Sequence, residues 1–249
     1  MIKIFRHIRK DLMVKNKTGK YLKYAIGEII LVVIGILIAL QVNNWNIDKT
    51  DKKRELKYLT NIVLDLKKDI KSLNDLMEFR KNRLIGDQKI IDHMNGIPVD
   101  NLNELAKNIV NSMMERNFTP NNTTFLELSN SGNLNLISND SIKFLLLELE
   151  ELYKTNKLSI EHETFDYREY ISKSANRNID VDLLIPVYMG LKTIEEQKIT
   201  LDSFKDLLNI REYKNGLFIM TFLSDGYIKA YENMKAKSEK IIRMIELAK

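Results

Sequence analysis

Three histidines are the first candidates for chemistry: His7, His93 beside Asp92, and His162. His162 lies in Glu161-His162-Glu163-Thr164-Phe165-Asp166, and on a helix His162 and Asp166 share one face. The spacing superficially matches part of a zinc-protease helix, which needs a second histidine as ligand. No second His and no Cys lies nearby, so the run reads as a solvated acidic face and predicts no metal site. The chain has no cysteine, which excludes a disulfide framework and a thiolate metal centre. Its nine glycines are never closer than eight residues apart, so a phosphate-cradling loop or a dinucleotide fingerprint is impossible. No nucleophile-elbow spacing appears either. These residue types predict no catalytic site and no cofactor, and the chain is expected not to be an enzyme.

Glu28 is the ionisable residue in the least ordinary setting. From Ile29 to Leu40 there is no polar side chain, and ten of those twelve residues are Ile, Leu or Val. As a helix, residues 24–45 would be about 33 Å long, which matches the hydrocarbon core of a bilayer. The insertion free energy of those ten residues sums to roughly −3 to −6 kcal/mol. That carries Glu28, which lies near one end, where a charge reaches the headgroups. Tyr24 and Trp45 mark the two edges, where amphipathic rings prefer to sit. A cleaved signal peptide would need a short basic region and small residues at the cleavage site. Here the basic region is long and Ala39-Leu40-Gln41 is a poor cleavage site, so an uncleaved anchor is expected. Glu28, Gly35, Ala39 and Val42 fall close to one helix face, and Gly35 with Ala39 forms a small-xxx-small pair that lets helices approach. Glu28 has two readings: a functional charge within the span, or a carboxylate that meets Lys20 or Lys23 at the headgroups. The second is expected, because Glu28 is only one turn in.

The charge distribution orients this anchor. The net charge is +5, but residues 1–24 alone carry eight cations against Asp11, a net of +7, which leaves −2 for the remainder. The basic excess therefore belongs to the membrane-proximal segment and does not mark a nucleic-acid surface. Met1, Ile4, Phe5, Ile8 and Leu12 recur at helical spacing among those cations. Residues 1–23 are expected to form an amphipathic helix on anionic lipid headgroups, the alternative being a disordered basic tail. Five cations follow the span up to Lys57, interrupted by acids, so the positive-inside rule puts the N-terminus in the cytoplasm and residues 46–249 outside it.

Beyond the span, Leu56, Val63, Ile70, Met77, Leu84 and Ile91 are spaced by seven, with Leu59, Leu66, Leu73 and Met94 three residues after members of that series. The pattern predicts a helical stalk over residues 46–95 that continues the transmembrane helix. Two packings satisfy it. A second copy forms a parallel coiled coil through Leu56, Leu59, Val63, Leu66, Ile70 and Leu73, or later helices of the same chain cover the stripe. Both can hold at once. Arg80 and Asp87 interrupt the companion positions and weaken the seam. Gly96-Ile97-Pro98 ends the stalk.

Residues 96–249 read as a helical head. Leu102, Leu105, Ile109 and Met113 mark a short helix that stops near Pro120. Thr124 to Ser131 fits another, with Gly132 as its C-terminal cap. Leu134 and Leu136 alternate, which predicts a short extended link. Asn139 or Asp140 caps a long helix carrying Leu146, Leu149, Tyr153, Ile160, Tyr167 and Ile171. Residues 176–200 are irregular around Pro186, Asp202 starts a short helix to Leu208, and a last helix runs from about Leu217. The fold class expected is all-α, with an antiparallel helical bundle as the head.

The runs Gly19-Lys20-Tyr21-Leu22-Lys23-Tyr24-Ala25-Ile26-Gly27-Glu28-Ile29 and Gln41-Val42-Asn43-Asn44-Trp45-Asn46 are specific in their order. They resemble the N-terminal signature of a family of single-pass inner-membrane proteins of unknown function common in Bacteroidota. Phe125-Leu126-Glu127-Leu128 and the stretch Ser131-Gly132-Asn133-Leu134-Asn135-Leu136-Ile137 resemble a second stretch of the same family. The resemblance implies a location and no activity, and it supplies no functional residues.

These observations predict a membrane-anchored periplasmic scaffold or interaction protein that self-associates as a homo-oligomer and meets a protein partner of unknown identity. The alternative is a ligand-sensing or regulatory subunit of a larger inner-membrane complex. The residues expected to carry either role are Glu28, Gly35, Ala39 and Trp45 in the span and Leu56 to Leu73 in the stalk.

Overall fold

The computed structural model describes residues 18–248, so the amphipathic reading of residues 1–23 lies almost wholly outside the described residues. Every regular element among the described residues is helical, and the expected all-α class holds. The chain divides into two compact units, Met1–Lys57 and Tyr58–Lys249.

The first unit holds the apolar run. Helix α1 (Thr18–Met94) begins there, and from Ile29 to Leu40 its large side chains are all exposed. No part of the apolar window is buried by the chain itself, so these residues are not the core helix of a soluble domain. A helix of this length and composition is suited to a bilayer, where lipid replaces the missing protein neighbours. Near its end, the Lys49 ammonium sits 5.3 Å from the centre of the Trp45 ring.

The second unit starts with the remainder of α1, followed by α2 (Leu102–Ser112) and α3 (Thr123–Asn130). Then come α4 (Asp140–Asp166), a π-helical stretch (Tyr167–Ser172), α5 (Lys173–Asn178), α6 (Val181–Tyr188), α7 (Lys205–Leu208) and α8 (Arg211–Leu247). Two apolar cores hold them together. One joins Leu66 and Leu73 of α1 to Leu128 of α3, Leu149 of α4 and Ile241 of α8. The other joins Ile90 of α1 to Ile109 of α2, Ile171 of the π stretch, Leu184 of α6 and Leu217 of α8.

The caps follow the sequence. Asn139 Oδ1 accepts from the N–H groups of Ser141 and Ile142 at 3.0 and 3.2 Å, a cap of the kind worth about 1 kcal/mol. Asn101 does the same for Glu104 at the start of α2. Gly96 and Gly132 take positive φ values of 99° and 72°, which ends α1 and α3 in turns that a Cβ would strain.

Three local expectations are corrected. Leu134 and Leu136 lie in a 3₁₀ turn (Asn133–Leu136), not an extended link, because the left-handed Gly132 feeds directly into bonding such as Ile137 N–H to Leu134 O. The stretch 176–200, read as irregular, holds the end of α5 and the whole of α6, with Pro186 inside that short helix. Helix α8 starts at Arg211, six residues before Leu217, with Gly216 inside it. A Cβ on Gly216 would stand 2.7 Å from Tyr170 Cβ, so the glycine permits close approach to the π stretch and does not end a helix.

The stalk pattern also resolves. Leu59, Val63, Leu66 and Leu73 are buried in the unit's own core, and Ile70 packs partly against it. The four buried residues are therefore covered by the chain itself, which corrects their place in a parallel seam, and Ile70 stays partly exposed. Ile62, Asp69, Leu76, Arg83 and Ile90 form a third buried column, also spaced by seven. A two-stranded coiled coil buries a narrow stripe, whereas three columns describe the wide stripe of a bundle helix.

Candidate functional site

The described residues contain no group of three or more His, Asp or Glu side chains that could hold a metal. His162 is exposed and Asp166 partly exposed, as expected of a solvated face. Glu163, between them in sequence, turns the other way, and it belongs to the most unusual chemistry of the head.

A layer of buried polar groups lies between the two apolar cores. Along α1 the first core ends at Met77 and the second begins at Ile90, and Arg80, Arg83 and Asp87 occupy the interval. Along α4 and the π stretch the interval holds Glu163, and along α8 it holds Ser224. The same three helices thus switch from apolar to polar and back at matching levels.

Arg80 and Glu163 form the centre of the layer, 4% and 6% exposed. Arg80 Nη1 and Nη2 donate to the two Glu163 oxygens at 2.7 and 2.6 Å, a two-pronged pair that matches the planar guanidinium to the planar carboxylate. The guanidinium carbon stands 4.3 Å from the Tyr227 ring centre and 5.5 Å from that of Tyr231. Burial acts to lower the Arg80 pKa, but the hydrogen bonds and charge of Glu163, with a smaller contribution from Tyr231, outweigh it and hold Arg80 charged. Burial drives the Tyr227 and Tyr231 hydroxyls up from their ordinary range, so both remain neutral: Tyr227 Oη donates to the Ser159 carbonyl, and Tyr231 Oη accepts from Arg80 Nη2 at 3.4 Å.

Beyond this pair, Arg83 Nε donates to Asp87 Oδ2 at 3.3 Å, and the Arg83 guanidinium faces the Tyr167 ring. Tyr167 Oη donates to the carbonyl of Met113, and Ser112 Oγ and Tyr213 Oη share a hydrogen bond of 2.8 Å. Asp87 is 1% exposed. Burial pushes its carboxyl up to about 7, against the opposing pull of Arg83. Arg80 Nε, Arg83 Nη2 and Asp87 Oδ1 find no partner within the protein. The space beside the two arginines is about 10 Å³, at the size of a single water and too small for a substrate.

A second polar anchor serves the other core. Asp69 is fully buried and accepts from Asn121 N–H, Asn121 Nδ2 and Tyr153 Oη, each at 2.8 Å. It fixes the loop before α3 and the middle of α4 to α1.

Residues 28–184, more than half of the chain, match the model of a family of unknown function (DUF6090). The chain belongs to that family. No curated protein and no solved structure matches it. The matched residues start at Glu28 in the anchor and include Arg80, Arg83, Asp87 and Glu163, so the family's shared region takes in the α1 and α4 halves of the polar layer.

Of the residues singled out in the sequence, Glu28, Gly35, Ala39 and Trp45 lie together in the first unit, away from any core. Leu56 is half-exposed at its end. The polar layer itself was missed. Its signal was present in Arg80 and Asp87, which sit where an apolar residue is due. A charge at such a position marks either a weak seam or a buried partner, and only the fold shows Glu163 arriving from 83 positions away.

Proposed function

We propose that this chain is a non-enzymatic interaction protein of the inner membrane. Its single span pairs copies side by side, and its helical head is presented in the periplasm to a protein partner. One observation carries this proposal. The helix face through Gly35 and Ala39 lies open, and a Cβ built on Gly35 would meet nothing within 4 Å. A notch of small residues in lipid allows two backbones to approach closely, with packing and Cα–H contacts in place of a hydrophobic drive. The basic residues before the span support the orientation and the contact with anionic headgroups.

The buried layer supports the same role. An enclosed set of ion pairs with no room for a substrate holds α1, α4 and α8 in one register, which suits a head that displays a fixed surface. The test is energy transfer between donor- and acceptor-labelled copies of the full chain in lipid vesicles. Changing Gly35→Leu and Ala39→Leu together should lower the transfer several-fold. Unchanged transfer would mean that this face meets lipid, and pairing through the span would be wrong.

A further inference from the structure

The C-terminal turn of α2 is held by side chains from four other elements. Tyr167 of the π stretch donates to the Met113 carbonyl, and Tyr213 of α8 shares a hydrogen bond of 2.8 Å with Ser112. Tyr188 of α6 donates to Asn111 Oδ1 at 2.8 Å. Arg83 of α1 reaches the Met114 carbonyl with Nη1 at 3.5 Å. The last carbonyls of a helix have no partners within it, so these side chains complete its end.

Arg83 is itself aimed by Asp87, whose Oδ2 accepts from Nε at 3.3 Å. The contact has one prong, and Arg83 Nη2 and Asp87 Oδ1 are both left over. Arg80 and Glu163, one turn away, use both prongs at 2.7 and 2.6 Å. A carboxylate buried on one long hydrogen bond recovers less from its partner than it loses in hydration, and the Asp87 carboxyl is accordingly raised to about 7. Arg83 of its own helix and Tyr213 of α8 are the titratable groups that act on it. Tyr167 lies beyond Arg83, and burial keeps both tyrosines neutral. From α2 come the neutral Ser112 hydroxyl, on Tyr213, and Glu104, which pairs with Lys89 at the surface.

Ionised Asp87 is better solvated in water, and α2 is the element whose movement lets water in at least cost. It packs directly over this turn of α1, since a Cβ on Gly86 would stand 2.9 Å from Asn108 Oδ1. It has eleven residues, fewer than a helix needs to stand alone, and from Met114 to Asn122 the chain has no regular structure. Short elements held by a few contacts are the ones that open locally.

We propose that Asp87 and Arg83 form a proton-operated latch on α2: with Asp87 protonated the turn at residues 111–114 is closed, and with Asp87 ionised it opens to water. The closed state keeps the proton up to about pH 7, whereas the open state, with its carboxyl near the ordinary 3.8, has already released it. The open population should therefore rise about tenfold between pH 6 and pH 8. The latch lies within the head and does not depend on how the spans pair.

The experiment follows amide hydrogen exchange of the full chain in lipid nanodiscs at pH 6 and pH 8, expressed as protection so that the intrinsic pH dependence cancels. Protection of residues 108–117 should fall about tenfold at pH 8, while residues 145–153 of the other core keep theirs. Asp87→Asn should remove the fall, and a melting curve shows whether that variant folds. A second measurement needs no variant. Infrared difference spectra of the wild type should lose a protonated-carboxyl band between pH 6 and pH 8, and the band should shift when the protein carries isotope-labelled aspartate. Equal protection of residues 108–117 at the two pH values, an equal fall in both cores, a fall that persists in folded Asp87→Asn, or no loss of an aspartate band would each overturn the latch.

Discussion

Arg80 and Glu163 show how a buried charge pair is costly to break and cheap to replace. Each ion lost its hydration on folding, and the two short hydrogen bonds and the tyrosine rings offset that loss only while both partners are present. Glu163→Ala should leave Arg80 buried and unpaired and lower stability by about 3–5 kcal/mol. Arg80→Met combined with Glu163→Leu should recover most of that loss, because two apolar side chains leave no ion stranded. Denaturant unfolding of the detergent-purified protein, followed by circular dichroism, measures both. Asp87 makes a pH prediction. Its carboxyl is raised from an ordinary value near 3.8 to about 7 by burial, so between those values the folded state holds a proton that the unfolded state has released. Its contribution is fully present below the lower value and is lost as pH rises through about 7, at roughly 1.4 kcal/mol per unit of difference. Asp87→Asn removes this dependence, so the variant should gain on the wild type between pH 4 and pH 8. A constant gap across that range would show that Asp87 does not titrate there.

Two glycines in one helix make opposite predictions because their neighbours differ. Gly216 faces the π stretch, where Tyr170 Cβ stands 2.7 Å from any added Cβ. Gly216→Ala should therefore destabilise the head by about 1–3 kcal/mol, even though alanine is the better helix former. Gly226, on the same helix, has open space, and Gly226→Ala should stabilise by up to about 1 kcal/mol. Thermal melts of the two variants should move in opposite directions. The stalk helix makes a third prediction. Leu66 and Leu73 are covered by the chain's own helices, so single cysteines there should stay unlinked between copies under oxidation in membranes. Efficient disulfides at either position would require the bundle to open and would restore the parallel seam.

For the whole molecule, the orientation proposed from charge is directly measurable. Eight cations precede the span and are opposed by Asp11 alone, whereas the five that follow it up to Lys57 are interspersed with acids. A phosphatase fused after Lys249 should be active, as that enzyme is only outside the cytoplasm, and a fluorescent protein fused there and exported by the same route should be dark. Bright fluorescence with an inactive phosphatase would reverse the topology.

The anchor was determined by the sequence alone, because a run such as Ile29–Leu40 has a preferred solvent whatever surrounds it. The all-helical class was equally legible, since few glycines and prolines and long stretches of seven-residue spacing leave little else to form. Caps such as Asn139 and turns such as Gly132 could be placed because their hydrogen bonds and φ values are settled within a few residues. The partner of each apolar face could not be placed. The spacing of Leu59, Val63, Leu66 and Leu73 is the same whether a second copy or a later helix covers it, and only the fold, with its third column through Ile62 and Asp69, decides between them. The polar layer needed tertiary structure for the same reason. Arg80 and Glu163, or Ser112 and Tyr213, meet across long separations, and an ion pair leaves no period in the sequence of either partner.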